Sequence, residues 1–102
     1  MLRSQSVLEI PGVQNPVKRH AKRTGWLTWK MKIEGINGCP DCIFMKQGRV
    51  IWMEFKSPTG RLSAQQTLRI AELIAHGIEV HVISDPAVGI AILDAAFEDD
   101  LL

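Results

Sequence analysis

The sequence predicts an α/β domain, and three observations carry that expectation. Apolar residues recur at helical spacing in some stretches and alternate in others, in the order helix, strands, helix, strand, helix. Two β-branched and aromatic runs flank Gln47-Gly48, as the arms of a hairpin would. Ser63 and Gln66 stand three apart at the head of an apolar run, the pattern of a capped helix start.

Each element follows from local chemistry. Pro11 and Pro16 break the start of the chain, so the first helix is expected from Pro16 to Thr24, stopping at Gly25. Trp26 to Ile33 alternates as a strand does, with Trp26 and Thr28 on one side and Leu27 and Trp29 on the other. Gly35, Asn37 and Gly38 mark a loop. Cys42 to Met45 and Val50 to Lys56 form the hairpin around Lys46-Gln47-Gly48-Arg49, and Pro58, Thr59 and Gly60 turn the chain out of it. From Ser63 a helix presents Leu68, Ala71 and Ala75, with Ile70, Leu73 and Ile74 beside them, as a broad apolar face ending at Gly77. Glu79 to Ile83 is a further strand. Pro86 opens a last helix with an acidic tail, Glu98-Asp99-Asp100.

Length and composition narrow the class. A chain of 102 residues is expected to be one domain covering 1–102, small enough that a second copy of itself would add useful buried surface. No run of eighteen apolar residues is present, which argues against a membrane span. Met1 to Ser6 show no export signal and only two Cys occur, so a disulfide-stapled secreted fold is not expected. The net charge of +1 hides an asymmetry: residues 1–51 hold nine Lys or Arg against three acids, and residues 52–102 hold three against eight. Lys18, Arg19, Lys22, Arg23, Lys30 and Lys32 follow one another with no acid between them, a local field suited to phosphates. A solvated helix face would explain the same run.

The hairpin register brings chemistry together. If the loop is symmetric about Gln47-Gly48, Asp41 lies opposite Glu54, and Lys56 projects from the same face two residues on. Ile51, Met53 and Phe55 point the other way, into a core. Two opposed carboxylates repel unless a cation stands between them. Oxygen ligands from Asp and Glu suit Mg²⁺ or Mn²⁺, which acidify water and neutralise charge on a phosphate. Lys56 would position or help deprotonate that water, or hold the phosphodiester. A surface Glu-x-Lys pair is the bland explanation. Against it, Val50 and Trp52 share the face of Glu54 and Lys56, so the strand is apolar on both sides and its charges need partners.

Gly38-Cys39-Pro40-Asp41, then twelve residues, then Glu54-Phe55-Lys56 resembles the PD-(D/E)xK nuclease signature. With Gly60-Arg61-Leu62-Ser63-Ala64-Gln65-Gln66, and Gly77 before a strand, the chain is similar to the virus-type replication-repair nuclease (VRR-Nuc) domain from about Lys18 to Ile83. It is most like the compact stand-alone members of phages and bacteria. The resemblance implies a restriction-endonuclease-like core, a mixed β-sheet flanked by helices, and metal-dependent cleavage of DNA phosphodiesters. It implies that Asp41, Glu54 and the carbonyl of Phe55 hold the metal, that Lys56 is the catalytic lysine, and that Gln66 supports it or the substrate. It further implies a homodimer acting on branched DNA such as four-way junctions, in the cytoplasm of a bacterial cell or phage-infected host. An acidic ligand on the first helix is also implied. Here Glu9 precedes Pro11 and Pro16, while Gln14 stands nearest the expected spacing, so one of them completes the site or the site lacks that ligand.

Other features have rival explanations. Gln66 fits a capping box, a site role, or both. Lys30 and Lys32 flank the sheet and could touch DNA phosphates. Trp26, Trp29 and Trp52 read as core, since the chain has few other large side chains. Cys39-x-x-Cys42 with His76 and His81 could hold zinc, but the spacing between the pairs exceeds that of common zinc modules, and small loop and core residues are the simpler reading. The expected function is therefore a Mg²⁺- or Mn²⁺-dependent endonuclease acting on DNA. A non-catalytic DNA-binding module with a vestigial site is the alternative, and a zinc-bound adaptor the third.

Overall fold

Residues 9–98 are described by a computed structural model of the chain. A π-helical segment, Glu9–Gln14, runs without a break into α1 (Asn15–Arg23). There follow β1 (Leu27–Lys30), β2 (Cys42–Lys46), β3 (Arg49–Phe55), α2 (Ala64–Ala75), β4 (Val80–Ile83) and α3 (Pro86–Ala95). The strands form one mixed sheet in the order β1-β2-β3-β4, antiparallel except for the β3/β4 pair. Parallel neighbours need a crossover, and α2 supplies it. The expected mixed sheet flanked by helices is the architecture found. Met1 to Ser6 and Asp99-Asp100 lie outside the described residues. No described helix is long and apolar enough to cross a membrane.

The hairpin turn sets the register. Gln47 and Gly48 both have positive φ, 48° and 82°, the two-residue loop whose twist matches the flanking strands. Lys46 pairs with Arg49, Phe44 with Ile51 and Cys42 with Met53. The symmetric register expected from the sequence is the one formed.

One sheet face carries the core. Phe44, Ile51, Met53, Phe55 and Ile83 are buried against Val17 and Ala21 of α1 and Leu93 of α3, with Phe44 edge-on to Phe55 at 6.4 Å between centroids. His20 Nε2 and Asp94 Oδ1, 2.6 Å apart, tie α1 to α3. The other face is largely open. Leu27, Trp29, Val50 and Val82 belong to it by register, and they are 52%, 55%, 41% and 44% exposed.

Four expectations are corrected. Pro11 and Pro16 do not end helical structure; Pro11 lies within the π-helical segment and Pro16 in the first turn of α1, the part of an α-helix that tolerates proline. The strand expected over Trp26 to Ile33 is only Leu27–Lys30. The N–H of Trp26 is taken by the carbonyl of Ala21, and after Lys30 pairs with Cys42 the partner strand ends. Trp29 is outside the core, because nothing among the described residues packs on its face of the edge strand, and Trp52 is only half-buried; Trp26 is buried. The apolar face of α2 is mostly uncovered: Ile70 is buried, but Leu68 and Ile74 are more than half exposed.

Candidate active site

Asp41 arrives at the site through a tight loop. Gly38 has φ of 87°, and a Cβ there would stand 2.6 Å from the backbone of Gln65 and 2.7 Å from the N of Gln66. Only glycine lets this loop press against the start of α2. Pro40 is fully buried. The Asp41 carbonyl accepts from Met31 N–H at 2.7 Å, and its Oδ2 accepts from Phe55 N–H at 2.8 Å. One residue beyond the Cys42–Met53 pair, Asp41 faces Glu54.

Glu54 is 1% exposed. Its Oε2 accepts a hydrogen bond from Gln66 Nε2 at 3.1 Å and lies 3.8 Å from Lys56 Nζ. Its Oε1 is buried with no partner among the described residues. Burial, then the charge of Asp41 and its hydrogen bonding, push the Glu54 carboxyl up to about 8, against the opposing pull of Lys56. A carboxyl pushed up in this way is a site short of positive charge.

Lys56 Nζ stands between two carboxylates, 3.8 Å from Glu54 Oε2 and 3.6 Å from Glu9 Oε1. Both are charge contacts, longer than hydrogen bonds. The side chain is only 13% exposed, and its backbone N–H is fixed by Ile83 O at 2.9 Å. The open choice between Glu9 and Gln14 is thereby narrowed. The π-helical segment carries Glu9 to the lysine, whereas Gln14 is buried and bonds to none of Asp41, Glu54 and Lys56. The sequence offered Glu9 as one of two candidates, and the two prolines that follow it hid the helical route by which it arrives.

Gln66 makes bonds in both of the directions suggested for it. Its Oε1 accepts from Ser63 N–H at 2.8 Å and its own N–H donates to Ser63 Oγ at 3.1 Å, which completes the capping box; its Nε2 holds Glu54. Phe55 sends its ring into the core and its N–H to Asp41.

The basic residues divide. Lys18 and Lys30 come close enough to Cys42 for their charges to oppose the burial that pushes its thiol up to about 11. Arg19 and Lys22 line a cavity with Lys18. Arg23 and Lys32 are exposed and contact neither Asp41, Glu54 nor Lys56.

The zinc reading fails on geometry. Cys42 is in the core, its thiol held protonated; His76 Nδ1 bonds the Glu72 carbonyl at 2.8 Å and His81 pairs with Glu79 at 2.8 Å. Among the described residues no group of three or more His, Cys, Asp or Glu side chains is placed to hold a metal ion. The Asp41–Glu54 pair is thus an open, oxygen-only donor set with one unbonded buried oxygen. That chemistry fits Mg²⁺ or Mn²⁺, which keep several waters, and does not fit zinc.

Comparison with known proteins adds three findings. The VRR-NUC domain family matches residues 14–84. A solved structure described as a VRR_NUC domain superposes with a TM-score of 0.71 at 20% identity, covering 79% of this chain and 89% of that one, a likeness of fold. No curated protein matches the chain significantly. Glu9 lies outside the matched span.

Proposed function

The chain belongs to the VRR-NUC domain family of nucleases, and from that premise we propose that it is a Mg²⁺- or Mn²⁺-dependent endonuclease hydrolysing DNA phosphodiester bonds. The observation that carries this reading is the unbonded buried oxygen of Glu54, set between Asp41 and Lys56.

Asp41, Glu54 and the carbonyl of Phe55 would hold the ion, with Glu9 the further carboxylate nearest to hand. When bound, the ion acidifies water and neutralises charge growing on phosphate. The chain's own residues do the rest. Gln66 fixes one oxygen of Glu54 and leaves the other free. The Phe55 N–H fixes Asp41. Lys56 Nζ, screened from water and flanked by Glu9 and Glu54, orients the attacking water and donates to the phosphate oxygens as charge accumulates there. Lys18, Arg19, Lys22, Arg23, Lys30 and Lys32 hold the DNA backbone by charge, which makes binding salt-dependent.

The substrate of this reading is branched DNA such as a four-way junction, cut by a homodimer. The open sheet face supports the dimer: Leu27, Trp29, Val50 and Val82 share it with Glu54, and a two-fold pairing through it would set two sites on one junction. A rival reading, a binding module with a vestigial site, would draw on the lack of an acid within α1; Glu9, 3.6 Å from Lys56, weighs against it.

The deciding experiment is cleavage of a labelled four-way junction, a linear duplex and a flap, with Mg²⁺, Mn²⁺ or EDTA. Wild type is compared with Glu54→Ala and Lys56→Ala. Metal-dependent cutting lost in both variants supports the reading. DNA bound by all three proteins but cut by none would sink it.

A further inference from the structure

A cavity of 510 Å³ opens between α1 and β1, away from the carboxylates. Lys18, Arg19 and Lys22 line one side of it. Trp26, Leu27 and Thr28 form the opposite wall, and Asn15 stands at one end. Lys18 and Lys22 are four residues apart and so share a helix face. None of these three cations has a carboxylate partner among the described residues. The ring of Trp26 is held from behind by Phe97, at 5.8 Å between centroids, and by Lys46 Nζ, 5.9 Å from the ring centre. The wall is therefore rigid and apolar while the rim is strongly positive. The hydroxyl of Thr28, within that wall, finds no hydrogen-bond partner among the described residues.

An apolar wall beneath a rim of three cations suits one chemical class, a nucleoside phosphate: the base needs dry contact and a few polar groups, the phosphate needs charge. A phosphate alone would leave the apolar wall unused, and a purely apolar ligand would strand the cations. The volume falls within the range of small-ligand pockets. Thr28, Phe44 and Ile51 lie in one row across the sheet. The cavity wall is thus two strands over and three residues back from Glu54, roughly 14 Å along the sheet and, three being odd, on its other face, so the DNA reaches it around the edge strand β1. Lys18 and Lys30, near Cys42, put positive charge along the path between them.

We infer that this cavity is a second subsite, which seats one unpaired, extrahelical nucleotide of the DNA that the carboxylate site engages. The base packs against Trp26, with Asn15 available to its polar edge. Its flanking phosphates are held by Lys18, Arg19 and Lys22. The inference rests on the nuclease reading for its source of nucleotide, and it adds that the chain selects DNA with an unpaired base over fully paired duplex.

The test measures binding in EDTA, so that nothing is cut. Three duplexes of one sequence are compared: fully paired, with a single bulged adenine, and with an abasic bulge that bends alike but lacks the base. Wild type is expected to bind the adenine bulge about 10-fold tighter than the abasic one, the size of one base's contacts. Asn15→Trp, which fills the cavity, should bring that ratio near one. A bulged 2-aminopurine should brighten on binding wild type, as an unstacked base does, which reads the seat directly even if Asn15→Trp misfolds. Equal affinity for adenine and abasic bulges, with no brightening, overturns the subsite while leaving the nuclease reading intact. Failure to bind any of the duplexes also overturns the subsite, and cleavage of the four-way junction then decides the nuclease reading separately. Free dAMP that binds while the DNAs show no base effect also overturns the subsite, because the cavity would then serve a free nucleotide.

Discussion

Gln66 donates to Glu54 with the same side chain that caps α2: its Nε2 lies 3.1 Å from Glu54 Oε2 while its Oε1 takes the Ser63 N–H at 2.8 Å. Helix start and carboxylate are thereby locked to one another. Gln66→Glu keeps the capping acceptor but sets a negative group against Glu54, and Gln66→Ala removes both bonds. Gln66→Glu should leave the melting temperature within a few degrees in EDTA yet cut DNA at least about 10-fold more slowly. Gln66→Ala should lose about 1 kcal/mol as well, the usual cost of a lost cap. Wild-type cleavage by Gln66→Glu would show that only the capping role matters.

The raised carboxyl of Glu54 makes stability depend on pH. In the folded protein it keeps its proton to about pH 8, while the unfolded chain releases it near 4.5. Folding therefore takes up a proton between those values, and stability falls as pH rises through that window. Glu54→Gln has no proton to take up. In EDTA its melting temperature should match wild type near pH 5 and exceed it by about 5 °C or more near pH 8. Added Mg²⁺ or Mn²⁺ should stabilise wild type and not the variant. Parallel melting curves across the range would refute the account.

Lys56 separates chemistry from binding. Lys56→Ala should reduce cleavage by about 100-fold or more, as removal of one group that meets developing charge does elsewhere. Affinity for the same DNA, measured in EDTA, should change by less than about threefold, because one phosphate contact among many is lost. Glu9→Gln should act differently: cleavage should recover as the divalent ion is raised, since the variant weakens the ion's hold. Loss in Glu9→Gln that no metal concentration restores would contradict that role.

Glu79 is the structural counterpart. Burial raises its carboxyl, but the hydrogen bond to His81 and then those from Arg49 outweigh it and hold the group below its usual range. A lowered carboxylate stabilises above its unfolded pKa and loses that contribution as pH falls through the folded value. Glu79→Gln should cost roughly 1 kcal/mol at pH 7, a partly exposed pair being worth no more, and the gap should close below about pH 4. Denaturant melts at pH 7 and pH 3.5 would measure it.

The open sheet face gives the dimer a direct test. Val50→Lys and Trp29→Lys put charges where a second copy would pack. Either should convert the dimer of our proposed reading to a monomer in sedimentation, without lowering the melting temperature of the monomer by more than about 5 °C. An unchanged sedimentation profile would remove this face as the interface.

Much of the site was legible because strand geometry repeats every two residues. The register about Gln47-Gly48 was enough to set Asp41 against Glu54 and turn Phe55 inward, and Ser63 with Gln66 announced a helix start through bonds that are local. The part that was not legible depends on what packs where. Prolines at 11 and 16 read as breakers, yet Pro11 fits a π-helical turn and Pro16 the first turn of α1, and the unbroken helix delivers Glu9. Apolar spacing in α2 and in β1 showed which side was greasy, but not that Leu68 and Trp29 would be left uncovered.

The two-residue turn at Gln47-Gly48 also constrains how this gene can tolerate length change. Because neighbours along a strand face opposite ways, an odd slip between β2 and β3 would send Asp41 to the far side from Glu54, while an even slip would keep them facing but offset. One residue inserted after Gly48 and taken up in the ladder should therefore turn Ile51, Met53 and Phe55 out of the core and cost the fold together with the activity. An insertion that loops out should be harmless. Viable length variants at this turn are expected to be those that conserve parity, a rule readable by a cleavage assay on one- and two-residue insertions.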